Sequence, residues 1–323
     1  MKAIVCHAYG PPRTLNLEEL PAPVPAAQEV LVDVGAVSVN FPDALIVANR
    51  YQISVDPPFT PGSDFAGTVC GVGAAVSGLA PGDRVFGSVF TGAYAEKLAV
   101  PAAGLQRIPD CVDFAQAAAF PTAYSTAYDA VRTTAAIEPG QTLVVLGAAG
   151  GVGSAAVQIG KLLGARVIAC ASSEPKVAVA RSIGADEGVV YGVEPLKERL
   201  KELTGGGADA VIDPVGGAYA EEALRATRYG GRYVVIGFAS GQIPSIPLNL
   251  VLLKGVIVKG YEIASFLTRE AAAAERNRAE MRAYLEAGRL RPYIGGRYPL
   301  DRAGEAMARV LDRRAVGKIV IEP

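Results

Sequence analysis

The chain has 323 residues, half of them hydrophobic and a fifth charged, with a formal net charge of -1. That length suits two domains with sizeable cores, and the balanced charge excludes the basic surface that nucleic acid or anionic lipid would require. Four cysteines, Cys6, Cys70, Cys111 and Cys170, are scattered without a CxxC spacing, which excludes a zinc knuckle or a disulfide framework and fits the reducing cytoplasm.

The opening Met1-Lys2-Ala3-Ile4-Val5 runs straight into a strand, without the apolar core of a signal peptide. Residues 1 to about 120 read as short strands broken by Pro/Gly turns. Val30-Leu31-Val32-Asp33-Val34, Phe65-Ala66-Gly67-Thr68-Val69 and Arg84-Val85-Phe86-Gly87 are strand segments. Pro81-Gly82-Asp83-Arg84 is a turn in which proline sets φ and glycine permits φ > 0. Helical texture begins near Phe114, runs to Phe120, and resumes after Pro121 from Ala123 to Arg132.

From Gln141 the pattern alternates. Strands are predicted at 142–146, 166–170, 188–191, 209–213, 232–237 and 255–261, and helices at 152–163, 175–183, 195–203, 219–227 and 269–287. Apolar strands alternating with amphipathic helices imply a parallel sheet buried on both faces, a doubly wound α/β fold. Val316 to Ile321 reads as a last strand that returns to the first domain. No stretch of about 18 apolar residues is free of Gly, Pro and charge, so no membrane span is expected.

Leu143 to Ser154 carries the sharpest local signal. An apolar strand feeds Gly147-Ala148-Ala149-Gly150-Gly151-Val152-Gly153, which opens an amphipathic helix. This resembles a dinucleotide fingerprint with Ala148 in the place of the first glycine, followed by Gly150 and Gly153. Amides around Ala149, Gly150, Gly151 and Val152, at the positive end of the helix, suit a pyrophosphate. NAD-preferring sites carry an acid at the end of the second strand; here that strand ends in Cys170-Ala171-Ser172-Ser173. The hydroxyls of Ser172 and Ser173 with the ammonium of Lys176 instead form a pocket for a 2′-phosphate, hence NADPH. The alternative is that both serines cap the next helix and Lys176 is a solvated charge.

Further segments carry a resemblance along nearly the whole chain. They are Ser38-Val39-Asn40-Phe41-Pro42-Asp43, Pro61 to Gly67, Pro81 to Val85, Gly147 to Gly153 with Gln158, Ile212 to Gly217, and Gly317-Lys318. The sequence resembles the zinc-independent medium-chain dehydrogenases/reductases of the quinone reductase (zeta-crystallin) type. The resemblance implies a GroES-like, mostly β substrate domain (1–122 and 265–323), interrupted by a Rossmann NADPH-binding domain (123–264), with the active cleft between them. It adds Tyr191 as a 2′-phosphate partner of Lys176. It also sets Thr122, Phe238, Ser240 at the end of the fifth strand, and Lys318 near the cofactor.

Zinc-dependent relatives place a cysteine near position 40 and a His-Glu pair after Pro61-Gly62. This chain has Asn40, Ser63 and Asp64 there, and its one histidine is His7, so no zinc is expected. The substrate-side candidates are Asn40, Asp43 and Tyr51. Asn40 offers both a donor and an acceptor to a carbonyl. Asp43 reads either as a site residue or as a loop holder binding local amides, and Tyr51 as a stacking platform or a packing tyrosine.

The resemblance implies hydride transfer from NADPH to a quinone, in one- or two-electron reduction. An enone or enoyl-thioester is the alternative acceptor, and a non-enzymatic NADPH-binding protein is the reading of another class. The expected partner is a small-molecule quinone or enone, with neither nucleic acid nor membrane. The β-branched strand Gly255 to Tyr261 at the sheet edge, with the family's habit of joining such edges, implies a homodimer.

Overall fold

The β-branched runs of the second half assemble into one six-stranded sheet. The computed structural model describes the whole chain, Met1–Pro323, which divides into two units: Met1–Thr122 with Arg291–Pro323, and Ala123–Leu290. In the second unit every strand pair is parallel. The spatial order is Glu187–Val190, Arg166–Ala171, Thr142–Leu146, Ala208–Asp213, Thr227–Val235, Ile257–Gly260. Numbered along the chain this is 3-2-1-4-5-6, the doubly wound order of dinucleotide-binding sheets. Leu143, Val144, Val145 and Leu146 are fully buried because helices cover both faces, which is why this strand is apolar without alternation.

The first unit is mostly β. Its sheet runs Ile294–Pro299, Lys318–Glu322, Glu29–Val39, Asp64–Val72, Arg84–Ser88, Gln106–Arg107, with Lys97–Pro101 also pairing with Glu29–Val39. The C-terminal strand lies antiparallel to Glu29–Val39, so the chain returns to its first unit as expected. Register sets the functional end of this sheet. Ser38 lies opposite Asp64 and Val39 opposite Ile319. Asn40, Asp64 and Lys318 therefore meet at one sheet end although 278 positions separate Asn40 from Lys318.

Helices form at Gly151–Leu162, Glu174–Ser182, Leu196–Thr204 and Tyr219–Arg225, close to expectation. Leu248–Lys254 is an additional helix; its exposed Leu248, Leu252 and Leu253 break the amphipathic pattern that sequence reading relies on. The expected return to the first unit at 265 also differs from the structure. The helix Ala271–Glu286 stays with the second unit because a buried polar cluster fastens it there. Asn277 Nδ2 donates to Asp129 Oδ1 at 2.7 Å and to Thr133 Oγ1 at 2.9 Å, and Tyr261 Oη donates to Asp129 Oδ2 at 2.9 Å. Asp129 opens a π-helical turn, Asp129–Thr134, whose wider coil presents Asp129 and Thr133 to the same amide. No helix is long and apolar enough to cross a membrane.

Asn277→Leu removes two donors from this buried cluster and leaves Asp129 with Tyr261. A loss of about 1–3 kcal/mol is expected, read as a lower urea midpoint for the unit that contains the helix.

Candidate functional site

The first unit carries a buried network of charged and polar side chains at the sheet end just described. Lys318 is 3% exposed; its Nζ donates to Asn40 Oδ1 at 2.5 Å and to the Val39 carbonyl at 3.2 Å. The acceptor role of Oδ1 orients the Asn40 amide, whose Nδ2 donates to Asp64 Oδ2 at 2.8 Å and Ser63 Oγ at 3.1 Å. Both amide protons of Asn40 are thus committed within the protein. Asp64 accepts two further bonds, from Thr122 N (3.1 Å) and Thr122 Oγ1 (2.7 Å).

Asp43 sits in the first turn of the helix Phe41–Val47. Its Oδ2 accepts from Asn40 N at 2.8 Å and Tyr94 Oη at 3.2 Å, and its Oδ1 accepts from Ser63 Oγ at 2.8 Å. Asp43 therefore holds the helix start, as the loop-holder reading expects, and belongs to the same network. Gly62 lets Tyr94 close over the network. Its φ is +95°, and a Cβ there would stand 2.0 Å from the Tyr94 ring, so a side-chain-bearing residue would displace the tyrosine.

Burial pushes the Asp43 carboxyl up to about 6. The Asn40 backbone N–H and the Ser63 hydroxyl oppose the rise, nearby Asp64 adds to it, and Lys318 opposes it. Burial also lowers the Lys318 ammonium, against the pull of Asp64 and Asp43. Tyr94 is raised for the same first reason, burial, and then by Asp43.

The second unit holds the glycine turn. Gly147 takes φ +60° at the end of the first strand, and Gly150 N donates to Gly147 O at 2.8 Å. Gly150 is the N-cap of Gly151–Leu162 and supplies no side-chain cap, so the first helical amides remain available to an anion. A Cβ on Gly153 would lie 2.1 Å from Gly147 O; only glycine permits this strand–helix approach. The tight turn belongs to Gly147, one position before the Ala148 slot assigned from sequence. Ala149 is buried, whereas Gly150, Gly151 and Val152 are half-buried around the turn.

Lys176 Nζ donates to Ser172 Oγ at 3.0 Å, so the expected hydroxyl–ammonium pair forms beyond the second strand. Ser173 is the N-cap of Glu174–Ser182 and is half-buried, and Glu174 faces solvent. Tyr191 is half-buried, its backbone N–H donates to Ala171 O at 3.1 Å, and its ring lies 4.2 Å from that of Tyr219. Phe238 and Ser240 lie in the loop after Thr227–Val235 and pack on the turn at Gly216-Gly217. Asp213 shapes that turn by accepting from Val215 N and Gly216 N, each at 2.8 Å, and from Tyr233 Oη at 2.6 Å.

Two residues expected near the cofactor are bonded within the first unit's network: Lys318 is buried beneath Asn40, and Thr122 is bonded twice to Asp64. Tyr51 is half-buried in the bend after Phe41–Val47. Ser63, Asp64, Tyr94 and the internal role of Lys318 were not among the sequence candidates. The one available signal was the spacing of Asn40 and Ser63-Asp64, since only strand register supplies the lysine.

A zinc ion does not fit this arrangement. No group of three or more His, Cys, Asp or Glu side chains is placed to hold a metal. Where the zinc-dependent pattern has soft ligands, the chain has an amide, a hydroxyl and one carboxylate around a lysine ammonium.

Residues 26–110 match the family described as alcohol dehydrogenase GroES-like domain, and residues 151–277 match that described as zinc-binding dehydrogenase. The chain is 36% identical over 322 residues to quinone oxidoreductase-like protein 2 of Rattus norvegicus, covering 99% of this chain and 91% of the relative. The structure of Escherichia coli quinone oxidoreductase complexed with NADPH superposes with a TM-score of 0.90 at 30% identity, covering 100% of both chains. An NAD-dependent alcohol dehydrogenase superposes with the same TM-score at 33% identity, again over 100% of both.

Lys318→Met removes the one cation from a buried pair of carboxyls. A loss of about 3 kcal/mol is expected at pH 8. Without the ammonium Asp43 binds its proton more tightly, and the neutral acid needs no counter-charge, so the loss narrows at pH 5. Thermal unfolding of both proteins at the two pH values measures the difference.

Proposed function

The chain belongs to the medium-chain dehydrogenases/reductases of the quinone oxidoreductase type, and from that premise we propose that it is a zinc-independent, NADPH-dependent reductase of quinones. When bound, the nicotinamide supplies the hydride. The observation that carries the cofactor assignment is the Lys176–Ser172 pair at the end of a second strand that has no acid. Around it, the amides after Gly150 hold the pyrophosphate at the helix N-terminus. Ser173, beside the pair, lines the phosphate pocket, and Tyr191, whose backbone N–H donates to Ala171 O next to Ser172, is the further partner of the 2′-phosphate. Phe238 and Ser240 with Gly216-Gly217 form the surface against which the nicotinamide end rests.

A charge-assisted hydrogen bond contributes about 1.5–3 kcal/mol. Two would favour NADPH by about 100-fold before solvent screening reduces it. For the acceptor, the network of Asn40, Asp43, Ser63 and Asp64 gives a fixed polar surface and no Lewis acid. Tyr51 lies a few residues beyond it and offers a flat face to a planar ring. Reduction of a quinone makes an aromatic product whose oxygen anion is a weak base, so no metal is needed to hold it. An enone shares that property, because its enolate is also delocalised. Alcohol oxidation differs, since the alcohol must lose a proton as hydride leaves.

The strand Ile257–Gly260 is exposed along its whole length at the sheet edge, with Ile257 51% and Val258 46% exposed. An unpaired apolar edge of this kind recruits another strand. A second copy supplies an identical one by two-fold pairing, with the exposed leucines of Leu248–Lys254 beside it.

NADPH oxidation against 1,4-naphthoquinone, phenanthrenequinone, methyl vinyl ketone and crotonyl-CoA tests the reaction. Turnover of the two quinones is expected; turnover of the alkenes alone selects the enone reading, and tight NADPH binding without turnover selects a binding protein. Lys176→Ala should raise KM for NADPH about 10-fold and leave that for NADH unchanged; equal effects would remove the phosphate role. Light scattering at micromolar concentration should give a dimer for the native chain and a monomer for Val258→Asp.

A further inference from the structure

Ser63 is the half-buried member of a network whose other acid–base groups are buried. Asp43, Asp64, Lys318 and Tyr94 are each 3% exposed or less. Ser63 Oγ touches two of its neighbours: it accepts from Asn40 Nδ2 at 3.1 Å and donates to Asp43 Oδ1 at 2.8 Å. Asp43 Oδ2 already receives two donors, Asn40 N and Tyr94 Oη. A proton arriving on Asp43 therefore has one place to sit, Oδ1, and from there it points at Ser63 Oγ. That oxygen then accepts two bonds, and its own O–H must turn away from Asp43. The protonation state of a buried acid thus decides whether Ser63 presents a lone pair or a proton outward.

We propose that Ser63 and Asp43 form a two-residue proton relay that protonates the oxygen anion left on the acceptor by hydride addition. The inference rests on the reductase reading above. The Ser63 Oγ–H bond breaks as the O–H bond of the product forms. The Asp43 Oδ1–H bond breaks as the Oγ–H bond is restored, leaving Asp43 ionised. No electrons are exchanged in this step, and after product departure a water proton returns through Ser63 to Asp43. The charged and titratable groups facing Asp43 are Asp64, Lys318 and Tyr94. Asp64 favours the acid form of Asp43, and Lys318 keeps the ionised form accessible. Asn40 ties both carboxyl groups to the ammonium and acts as a positioning residue. The raised position of Asp43, about 6, suits an acid that gives up a proton near neutral pH and regains it.

The test is a pH profile of kcat with NADPH and whichever acceptor of the panel turns over. The native enzyme should slow as pH rises through the Asp43 range, because the acid form is lost. Ser63→Ala should be slower by about 100-fold at low pH and independent of pH in that range, with KM for NADPH unchanged. Ser63→Thr, which keeps a hydroxyl, should restore the profile. In the native protein, single-turnover rates in mixed H2O and D2O should give a bowed proton inventory, since two protons move; this measurement needs no variant. A Ser63→Ala enzyme with the native pH profile, or a linear inventory, overturns the relay and leaves the reductase reading standing. Absence of turnover with every acceptor overturns both.

Discussion

The arrangement at the head of the first unit depends on one buried ammonium. Lys318 brings a positive charge to a sheet end that also holds Asp43 and Asp64, and it reaches them through the Asn40 amide. Enclosing three ionisable groups costs several kcal/mol per ion unless each finds partners. Here every carboxylate oxygen of the two aspartates has at least one donor. The backbone supplies part of this by register: the central strand Glu29–Val39 pairs with Asp64–Val72 on one side and Lys318–Glu322 on the other. A slip of one residue in either ladder would turn an aspartate or the lysine to the opposite face. The network and the strand register therefore specify each other.

The second unit solves a different problem with backbone alone. A phosphate site at a helix N-terminus works only if the preceding strand ends close beneath the helix, which puts Gly147 and Gly153 in contact. Side chains enter at its margin, where Lys176 and Ser172 stand beyond the second strand and Asp213 caps the turn after the fourth. The first unit builds a charge-rich network from side chains, and the second an amide-lined turn almost without them.

Much of the second unit was legible because its signals are local. Each strand is an apolar run, each helix an amphipathic one, and their alternation leaves few topologies. The glycine cluster marked the strand–helix turn, although sequence spacing put its first glycine slot at Ala148 while the left-handed conformation belongs to Gly147. The hydroxyl–ammonium pair was also legible, because Ser172 and Lys176 lie four apart and a helix start brings such residues together. What escaped was non-local. The burial of Lys318 was not legible, because a lysine near a chain end gives no sign of it, and only the antiparallel pairing with Glu29–Val39 sinks it under Asn40. The helix Ala271–Glu286 read as part of the first unit for the same reason. Its attachment to the second lies in Asn277 and Asp129, and a buried asparagine on a polar helix has no local signature.

A buried ammonium acts on a nearby oxygen differently from a metal ion. A metal ion with an open coordination position binds an alkoxide directly and stabilises it as it forms. Lys318 cannot do this, because its Nζ is enclosed by Asn40 and the Val39 carbonyl. Its charge acts through the amide and the carboxylates, and it sets how readily those groups hold or release a proton. On the proposed reading, such a network meets an oxygen anion not by coordination but with a hydrogen bond from the half-buried Ser63, because both donors of Thr122 are spent on Asp64. That is sufficient for an anion already spread over an aromatic ring or an enolate, and insufficient for a localised alkoxide. On the proposed reading, the amide, hydroxyl and carboxylate of Asn40, Ser63 and Asp64 suit acceptors that take the hydride into a conjugated system.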